Sequence, residues 1–145
     1  MELITLALKD ANDCSELDEI SLNGLWSKQQ WEEELSNSNR LCFGIFISSK
    51  LVALACGWLV VGELQLTVVA VHPEHRREGL ARLVLLRLLK QARFLSATEA
   101  TLEVDSNNFA ATSLYKSCGF ITTGERPNYY KNGSDALIQW RSLAQ

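Results

Sequence analysis

A cluster of basic residues around one glycine is the first feature of this sequence that could bind a ligand. Arg76, Arg77 and Arg82 surround Gly79 in the segment HPEHRREGLAR, which follows an apolar run. The first amides of a helix have no partner inside it, and a glycine lets a ligand approach the backbone closely. If a helix begins near Gly79, this segment could hold a phosphate between its amides and guanidinium groups. The alternative is an ordinary strand-turn-helix connection with a solvated basic patch.

Two well-known phosphate motifs do not fit this segment. A P-loop ends in Gly-Lys-Ser/Thr, and a dinucleotide fingerprint needs three glycines and a later acidic residue. The basic residues are concentrated locally, whereas the whole chain of 145 residues has a formal net charge of −3. The sequence therefore favours a small polyphosphate as ligand, and we expect neither direct nucleic-acid binding nor membrane binding.

Two side chains further along the chain could move protons. Glu103 interrupts an apolar and threonine-rich strand pattern, and a partly desolvated carboxylate can accept a proton directly or through water. Tyr115 has a phenol that could donate one. The alternatives are that Glu103 lies on the exposed face of an edge strand and that Tyr115 belongs to an apolar helix stripe. Asn108, at the start of the same helix, could cap it or could bond a ligand amide.

The predicted strands and helices place these residues in one α/β fold. Period-2 patterns and turn residues indicate strands at 2–8, 41–47, 51–60, 64–71, 100–104, 121–126 and 136–141. Helical patterns indicate helices at about 10–22, after residue 27, at about 79–95 and from about 109. The order β-α-α-β-β-β-α-β-α-β-β predicts a mixed sheet with helices on both faces, and the length predicts a single domain spanning 1–145.

Local signals mark the ends of these helices. Asp10 is predicted to cap the first helix, because its short side chain can accept a bond from an unpaired amide. Ser106 or Asn107 is predicted to cap the helix that begins at about Phe109. Gly119 stands where a left-handed residue would end that helix.

The cysteines and the apolar runs indicate a cytoplasmic location. Cys14, Cys42, Cys56 and Cys118 lie in apolar surroundings without the Cys/His spacing of a zinc site, so we expect free core thiols in a reducing compartment and no metal. The N-terminus has no signal-peptide pattern, and no uncharged apolar run is long enough to span a membrane. The oligomeric state is assumed to be monomeric.

Several segments together resemble a known enzyme family. The spacing Arg76-x-x-Gly79-x-Ala81 resembles the pyrophosphate loop of the GCN5-related N-acetyltransferases, which bind acetyl-coenzyme A. The segments LEVDSNNFAATSLYKSCGF, PNYYKNGSDALIQW and LWSKQQWEEEL resemble the RimI-type ribosomal-protein-alanine N-acetyltransferases of that superfamily. The resemblance covers almost the whole chain. It implies the fold of that superfamily, a central mixed and mostly antiparallel sheet flanked by helices.

The resemblance also implies roles for the matching residues. Glu103 would be the general base and Tyr115 the general acid. Tyr129 and Tyr130 would border the acceptor peptide, and the alternative for them is aromatic packing within their loop. Acetyl-coenzyme A, the co-substrate, would be bound by Val69, Val71, Arg76, Arg77, Gly79, Leu80, Ala81, Arg82 and Asn108. An amide of the strand that contains Val69 would polarise the thioester carbonyl.

The implied reaction is direct transfer of acetyl to the N-terminal α-amine of a protein, by resemblance the N-terminal alanine of a small-subunit ribosomal protein. The chemistry of amines agrees with this acceptor. An α-amine with a pKa near 8 is roughly a tenth to a third neutral at cytosolic pH, whereas a lysine near 10.4 is neutral about one time in a thousand. The alternatives are an acetyltransferase for lysine or a small-molecule amine, and a non-catalytic acyl-coenzyme A-binding module.

Overall fold

The computed structural model describes residues 1–144, and within them one seven-stranded sheet has the strand order β1-β2-β3-β4-β5-β7-β6. The strands are Glu2–Thr5 (β1), Arg40–Ile47 (β2), Lys50–Val60 (β3), Glu63–Val71 (β4), Glu99–Asp105 (β5), Ile121–Arg126 (β6) and Ala136–Ser142 (β7). The helices are Ala11–Leu22 (α1), Lys28–Ser36 (α2), Leu80–Phe94 (α3) and Phe109–Ser117 (α4). Only β4 and β5 pair in parallel, so the predicted mixed, mostly antiparallel sheet is confirmed.

Helices cover both faces of the sheet and divide the interior into two apolar cores. Val84 and Leu88 of α3 are fully buried on one face, in the same core as Leu102 of β5. α1 and α2 pack on the other face, where Leu17 and Trp31 belong to the second core. Each fully buried large apolar side chain stabilises the fold by about 1.5–3 kcal/mol. None of the helices within residues 1–144 has the length and apolar character needed to cross a membrane.

The connection between α1 and α2 is organised by the buried carboxylate of Asp18. Its oxygens accept hydrogen bonds from the backbone N–H groups of Leu25 at 2.7 Å and Trp26 at 2.8 Å. The indole Nε1 of Trp31 donates a third, at 2.8 Å. Asp18 is 0% exposed, and a buried charge is tolerated only with such partners. The carboxylate therefore determines where the loop after α1 runs.

The start of α2 follows the pattern of its residues. Ser27 and Gln30 form a capping box, in which each side chain accepts a hydrogen bond from the other residue's backbone N–H, at 3.2 and 2.8 Å. Trp26 packs against Trp31 with a ring-centroid distance of 4.7 Å. These contacts fix the direction in which the chain enters α2.

Two predictions about the first elements are wrong. β1 ends at Thr5 rather than at residue 8, because Leu8–Asp10 form a 3-10 turn that leads into α1. Asp10 stands at the N-cap position of α1, but its side chain makes no capping bond, since its Oδ2 accepts the backbone N–H of Ala7 at 2.8 Å. Its carboxylate thus closes the turn that precedes the helix, because it points toward Ala7 and away from the amides of α1.

Of the residues predicted to cap α4, Asn108 is confirmed, whereas Ser106 and Asn107 are wrong. The backbone N–H of Asn107 donates to Oδ1 of Asp105 at 2.9 Å, so the chain completes a turn there before the helix starts. Asn108 is the cap instead of Ser106 or Asn107, and its Oδ1 accepts the N–H of Ala111 at 3.1 Å.

The sheet opens between β4 and β5. These strands pair over only three residues each, Glu63–Gln65 with Glu99–Thr101. Further along, β4 pairs only with β3 and β5 only with β7 among the strands of residues 1–144. A register shift also leaves Thr67 of β4 without a partner on β3, which is a β-bulge. The opening and the bulge together expose backbone groups inside the sheet.

Candidate functional site

A cavity of about 740 Å³ lies where β4 leaves β5 and α3 begins. Its walls are β4, the loop that contains the arginines, the start of α3 and one side of α4. It is lined by all the residues predicted to bind acetyl-coenzyme A, namely Val69, Val71, Arg76, Arg77, Gly79, Leu80, Ala81, Arg82 and Asn108, and by the proposed acid Tyr115. The fold therefore brings these distant segments of the chain to one place.

The loop of residues 76–79 has a backbone suited to binding an anion. Arg77 and Gly79 are left-handed, with φ of 64° and 78°, and α3 starts directly after them at Leu80. A Cβ added to Gly79 would meet no protein atom within 4 Å, so the space above this residue is open. Unpaired helix amides and neighbouring guanidinium groups in that space fit a diphosphate.

The edge of β4 that faces the opening can pair with an extended ligand. Val69 and Val71 are half-buried there and contact the core beneath α3. On their other side they are paired with Ala55 and Ala53 of β3. An unpaired strand edge offers N–H and C=O groups in a regular row, as in the addition of a peptide strand. An arm that contains amide groups fits this edge.

Tyr115 belongs to the apolar stripe of α4 and also reaches the cavity. Its ring packs on Phe120 with a centroid distance of 6.0 Å, and it also lines the cavity. Burial raises the pKa of the Tyr115 phenol to about 12, with further contributions from Cys118 and Tyr130. The phenol therefore stays protonated at physiological pH and can donate a hydrogen bond into the cavity.

Glu103 does not line this cavity but lies on the β5 side of the opening. Thr101 pairs with Gln65, so Glu103 comes level with the bulge residue Thr67 where the strands have parted. Its side chain is 38% exposed, and its Oε1 accepts a hydrogen bond from Nε of Arg126 at 3.1 Å. The carboxylate is thus on an exposed strand face, as one alternative held, and also beside the opening.

Tyr129 and Tyr130 lie in the loop between β6 and β7. Their rings contact each other edge to face at 5.1 Å, and the guanidinium of Arg126 lies 5.8 Å from the ring centre of Tyr129. Tyr129 is 55% exposed. Burial raises the pKa of Tyr130, and the carboxylates of Asp105 and Glu103 raise it further. Aromatic packing is therefore present in this loop, and the loop lies beside Glu103 rather than in the cavity.

The four cysteines are free and buried, as predicted. None of them lines the cavity. Burial raises the pKa of the thiols of Cys14 and Cys56 far above its ordinary value, so these thiols are poor nucleophiles. Among residues 1–144, no group of three or more histidine, cysteine, aspartate and glutamate side chains could hold a metal ion.

Sequence reasoning missed several residues of the cavity wall. Ser21 and Leu22 come from the end of α1, and no local pattern marks them because their position depends on how α1 crosses the sheet. His75 precedes the arginines and lines the cavity as well. Ala111 did carry a signal, since it lies four residues before the predicted acid Tyr115 on the same helix face, but the sequence places it only in the apolar stripe.

Comparison with known proteins agrees with this geometry. Residues 6–120 match the acetyltransferase (GNAT) family. A Bacillus subtilis (strain 168) protein provisionally named ribosomal protein bS18-alanine N-acetyltransferase is 31% identical over 140 residues, covering 95% of this chain and 93% of that protein. The ribosomal protein bS18-alanine N-acetyltransferase of Escherichia coli (strain K12) is 34% identical over 115 residues, covering 74% and 78%. The crystal structure of the ribosomal-protein-S18-alanine N-acetyltransferase from Escherichia coli matches with a TM-score of 0.91 at 27% identity, covering 99% of this chain and 94% of that one. The chain belongs to the acetyltransferase (GNAT) family.

Proposed function

We propose that the protein transfers the acetyl group of acetyl-coenzyme A to the N-terminal α-amine of a protein, namely the N-terminal alanine of ribosomal protein bS18. The observation that carries the proposal is the opening between β4 and β5, with the loop of residues 76–79 at one end and Tyr115 on its wall. The relatives described above are named for acetylation of alanine in bS18, which supports this acceptor.

Different residues of the cavity would bind different parts of the co-substrate. Arg76, Arg77 and Arg82, with the amides that follow Gly79, would bind the diphosphate. The free edge of β4 would pair with the amide-containing arm. Because Oδ1 of Asn108 accepts the backbone hydrogen bond at the start of α4, its amide nitrogen is the group left to bond the ligand. When bound there, acetyl-coenzyme A supplies an activated acetyl thioester.

Formation of the new amide releases one proton from the acceptor nitrogen and leaves one to be taken up by the sulfur. Glu103 is the proposed acceptor of the first proton, directly or through water. Tyr115 is the proposed donor to the sulfur. With a pKa of about 12, its phenol is a weaker acid than a thiol, whose pKa is about 8.5. Tyr115 therefore acts first by donating a hydrogen bond to the departing sulfur, and gives up its proton only as another replaces it.

The surroundings of Glu103 favour a polypeptide acceptor over a small amine. The carboxylate is half-exposed, and the neighbouring Tyr129 is more exposed still. A site for a small-molecule amine would be expected to be a closed, acidic pocket that buries most of its ligand. An open surface next to the opening instead leaves room for a chain that continues beyond its first residue.

The test is an acetylation assay with peptides that differ only at residue one. Each peptide carries one internal lysine, and fragmentation mass spectrometry locates the acetyl group. We expect acetylation of the α-amine, fastest for the peptide with the bS18 start, and none on an α-blocked peptide. Acetylation of the lysine or of an added polyamine alone would overturn the acceptor assignment. Binding of coenzyme A without transfer to any amine would indicate an acyl-coenzyme A-binding module.

A further inference from the structure

We propose that Arg126 occupies the position of the acceptor's ammonium group in the free protein and must leave Glu103 before acetylation can occur. The inference rests on the proposed function, because it takes Glu103 as the group that receives the acceptor's proton. Arg126 is then a positioning residue. Arg126 pairs with the carboxylate of Glu103 while no acceptor is bound, and another cation, the acceptor ammonium, displaces it.

The register of three strands explains how Arg126 reaches Glu103. Arg126 ends β6 and pairs with Ala136 of β7, which pairs in turn with Asp105 of β5. Ala136 of β7, which lies between Arg126 of β6 and Asp105 of β5, has only a methyl side chain. The guanidinium therefore crosses β7 and approaches the carboxylate two residues before Asp105, with Nε 3.1 Å from Oε1 of Glu103.

The contact has the features of a reversible one. The side chains of Arg126 and Glu103 are 55% and 38% exposed. Ion pairs between exposed groups change an equilibrium constant by only about one- to fivefold. The ring of Tyr129, 5.8 Å from the guanidinium, offers Arg126 a second contact on the loop side. Arg126 can thus leave the carboxylate at small cost without disturbing buried structure.

The charges of the two cations make them competitors. A guanidinium stays protonated in proteins and cannot pass a proton to Glu103. An α-amine with a pKa near 8 arrives mostly as an ammonium, which can pair with the same carboxylate. It loses one proton to Glu103, directly or through water, before it attacks, and the proton released when the amide forms balances the one taken up by the sulfur. Exchange of Arg126 for the acceptor ammonium keeps the local charge balanced. It also brings the nitrogen that must react next to its base.

The experiment compares two peptides in three variants. One peptide starts with alanine, and the other has propionyl in place of alanine, so that it keeps the shape but lacks the ammonium and acts as an inhibitor. In Arg126→Gln we expect the KM of the alanine peptide to fall about two- to fivefold. The Ki of the propionyl peptide and the KM of acetyl-coenzyme A should stay unchanged. Arg126→Lys should behave as wild type, and so should Lys131→Gln, which removes an exposed cation from the same loop.

Two results would overturn the proposal. A higher KM for the alanine peptide in Arg126→Gln would mean that Arg126 binds the acceptor instead of competing with it. Equal shifts for both peptides, or no shift, would mean that Arg126 acts only on the shape of the loop or has no part in selection.

A double-mutant cycle separates this proposal from the proposed function. If Glu103→Gln keeps full turnover, the assignment of the base fails and the present inference fails with it. If Glu103→Gln loses turnover while Arg126→Gln shows no preference for the ammonium peptide, only the present inference fails. In the Glu103→Gln background, Arg126→Gln should no longer change the KM of the alanine peptide.

Discussion

The two sides of the opening between β4 and β5 are built in different ways. On the proposed co-substrate side the groups are backbone amides at the start of α3 and along β4, together with the arginine side chains and Asn108, and the backbone is held by buried packing such as that of Val84 and Leu88. On the proposed acceptor side the groups are side chains from β5, β6 and the loop after β6. The contacts among them, such as that of Glu103 with Arg126, join half-exposed residues.

This difference separates the proposed co-substrate side from the proposed acceptor side in physical terms. A substitution on the acceptor side changes exposed side chains, and such changes usually alter the free energy of unfolding by less than about 0.5 kcal/mol. A change in the backbone of residues 76–80 would disturb the packing of α3. One scaffold can therefore keep acetyl-coenzyme A in place while its acceptor side is altered residue by residue.

The largest effect is expected from the two groups proposed to move protons, one on each side of the opening. Glu103→Gln and Tyr115→Phe should each lower kcat by roughly 10²- to 10⁴-fold, because each removes an acid-base group. The affinity for coenzyme A, measured by calorimetry, should stay unchanged. Glu99→Gln is the matched control, since it removes a carboxylate from the same face of β5 at the closed end of the opening. Full turnover in both variants would remove the proposed roles.

The next largest effect is expected on coenzyme A binding, when a glycine on each side of the opening is replaced by aspartate. Gly79 and Gly133 have φ of 78° and 86°, and a Cβ at either would meet no atom within 4 Å. Aspartate costs the backbone about the same at both, but only at Gly79 does it face the proposed diphosphate. Gly79→Asp should weaken coenzyme A binding by roughly 10- to 100-fold in calorimetry, whereas Gly133→Asp should bind as wild type. Equal affinities for the two variants would contradict the loop assignment.

Much of the co-substrate side could be predicted from the sequence because its signals are local. The arginines, Gly79 and the leucine pattern of α3 lie within one short segment, and their spacing alone indicates a helix start that can bind an anion. The order of strands and helices along the chain followed in the same way from short periodic patterns. The functional roles of these residues remain predictions.

The acceptor side could not be predicted to the same extent, because it depends on register. Arg126 reaches Glu103 only through the pairing of Ala136 with residues on both neighbouring strands, and no local pattern specifies that pairing. Asp10 failed for a related reason. Its carboxylate could accept a bond from either of two turns, and the 3-10 turn before α1 was not visible in the sequence.

The third prediction compares two carboxylates, Asp18 under the α1–α2 loop and Glu103 at the opening. Asp18 is fully buried with three N–H donors, so Asp18→Asn places an NH2 group against one of them. We expect the free energy of unfolding in urea to fall by about 1–3 kcal/mol. The corresponding substitution Glu103→Gln, at a half-exposed carboxylate, should change the free energy of unfolding by less than about 0.5 kcal/mol. If both variants lost equal stability, the contrast between a buried scaffold and an exposed acceptor side would not hold.

The smallest effect concerns Tyr115, which belongs to the proposed acid-base pair and is half-buried. Its pKa is about 12 in the folded protein and about 10 in the unfolded chain, so the folded state binds more protons between these values. The stability that Tyr115 contributes is therefore complete below pH 10 and is lost as the pH rises through 12. Tyr115→Phe cannot titrate. The difference in unfolding free energy between wild type and this variant should shrink by about 1 kcal/mol from pH 9.5 to pH 11 in urea denaturation. A constant difference would mean that the phenol is in contact with solvent, and a water-exposed donor would be a poor match for the sulfur that leaves inside the cavity.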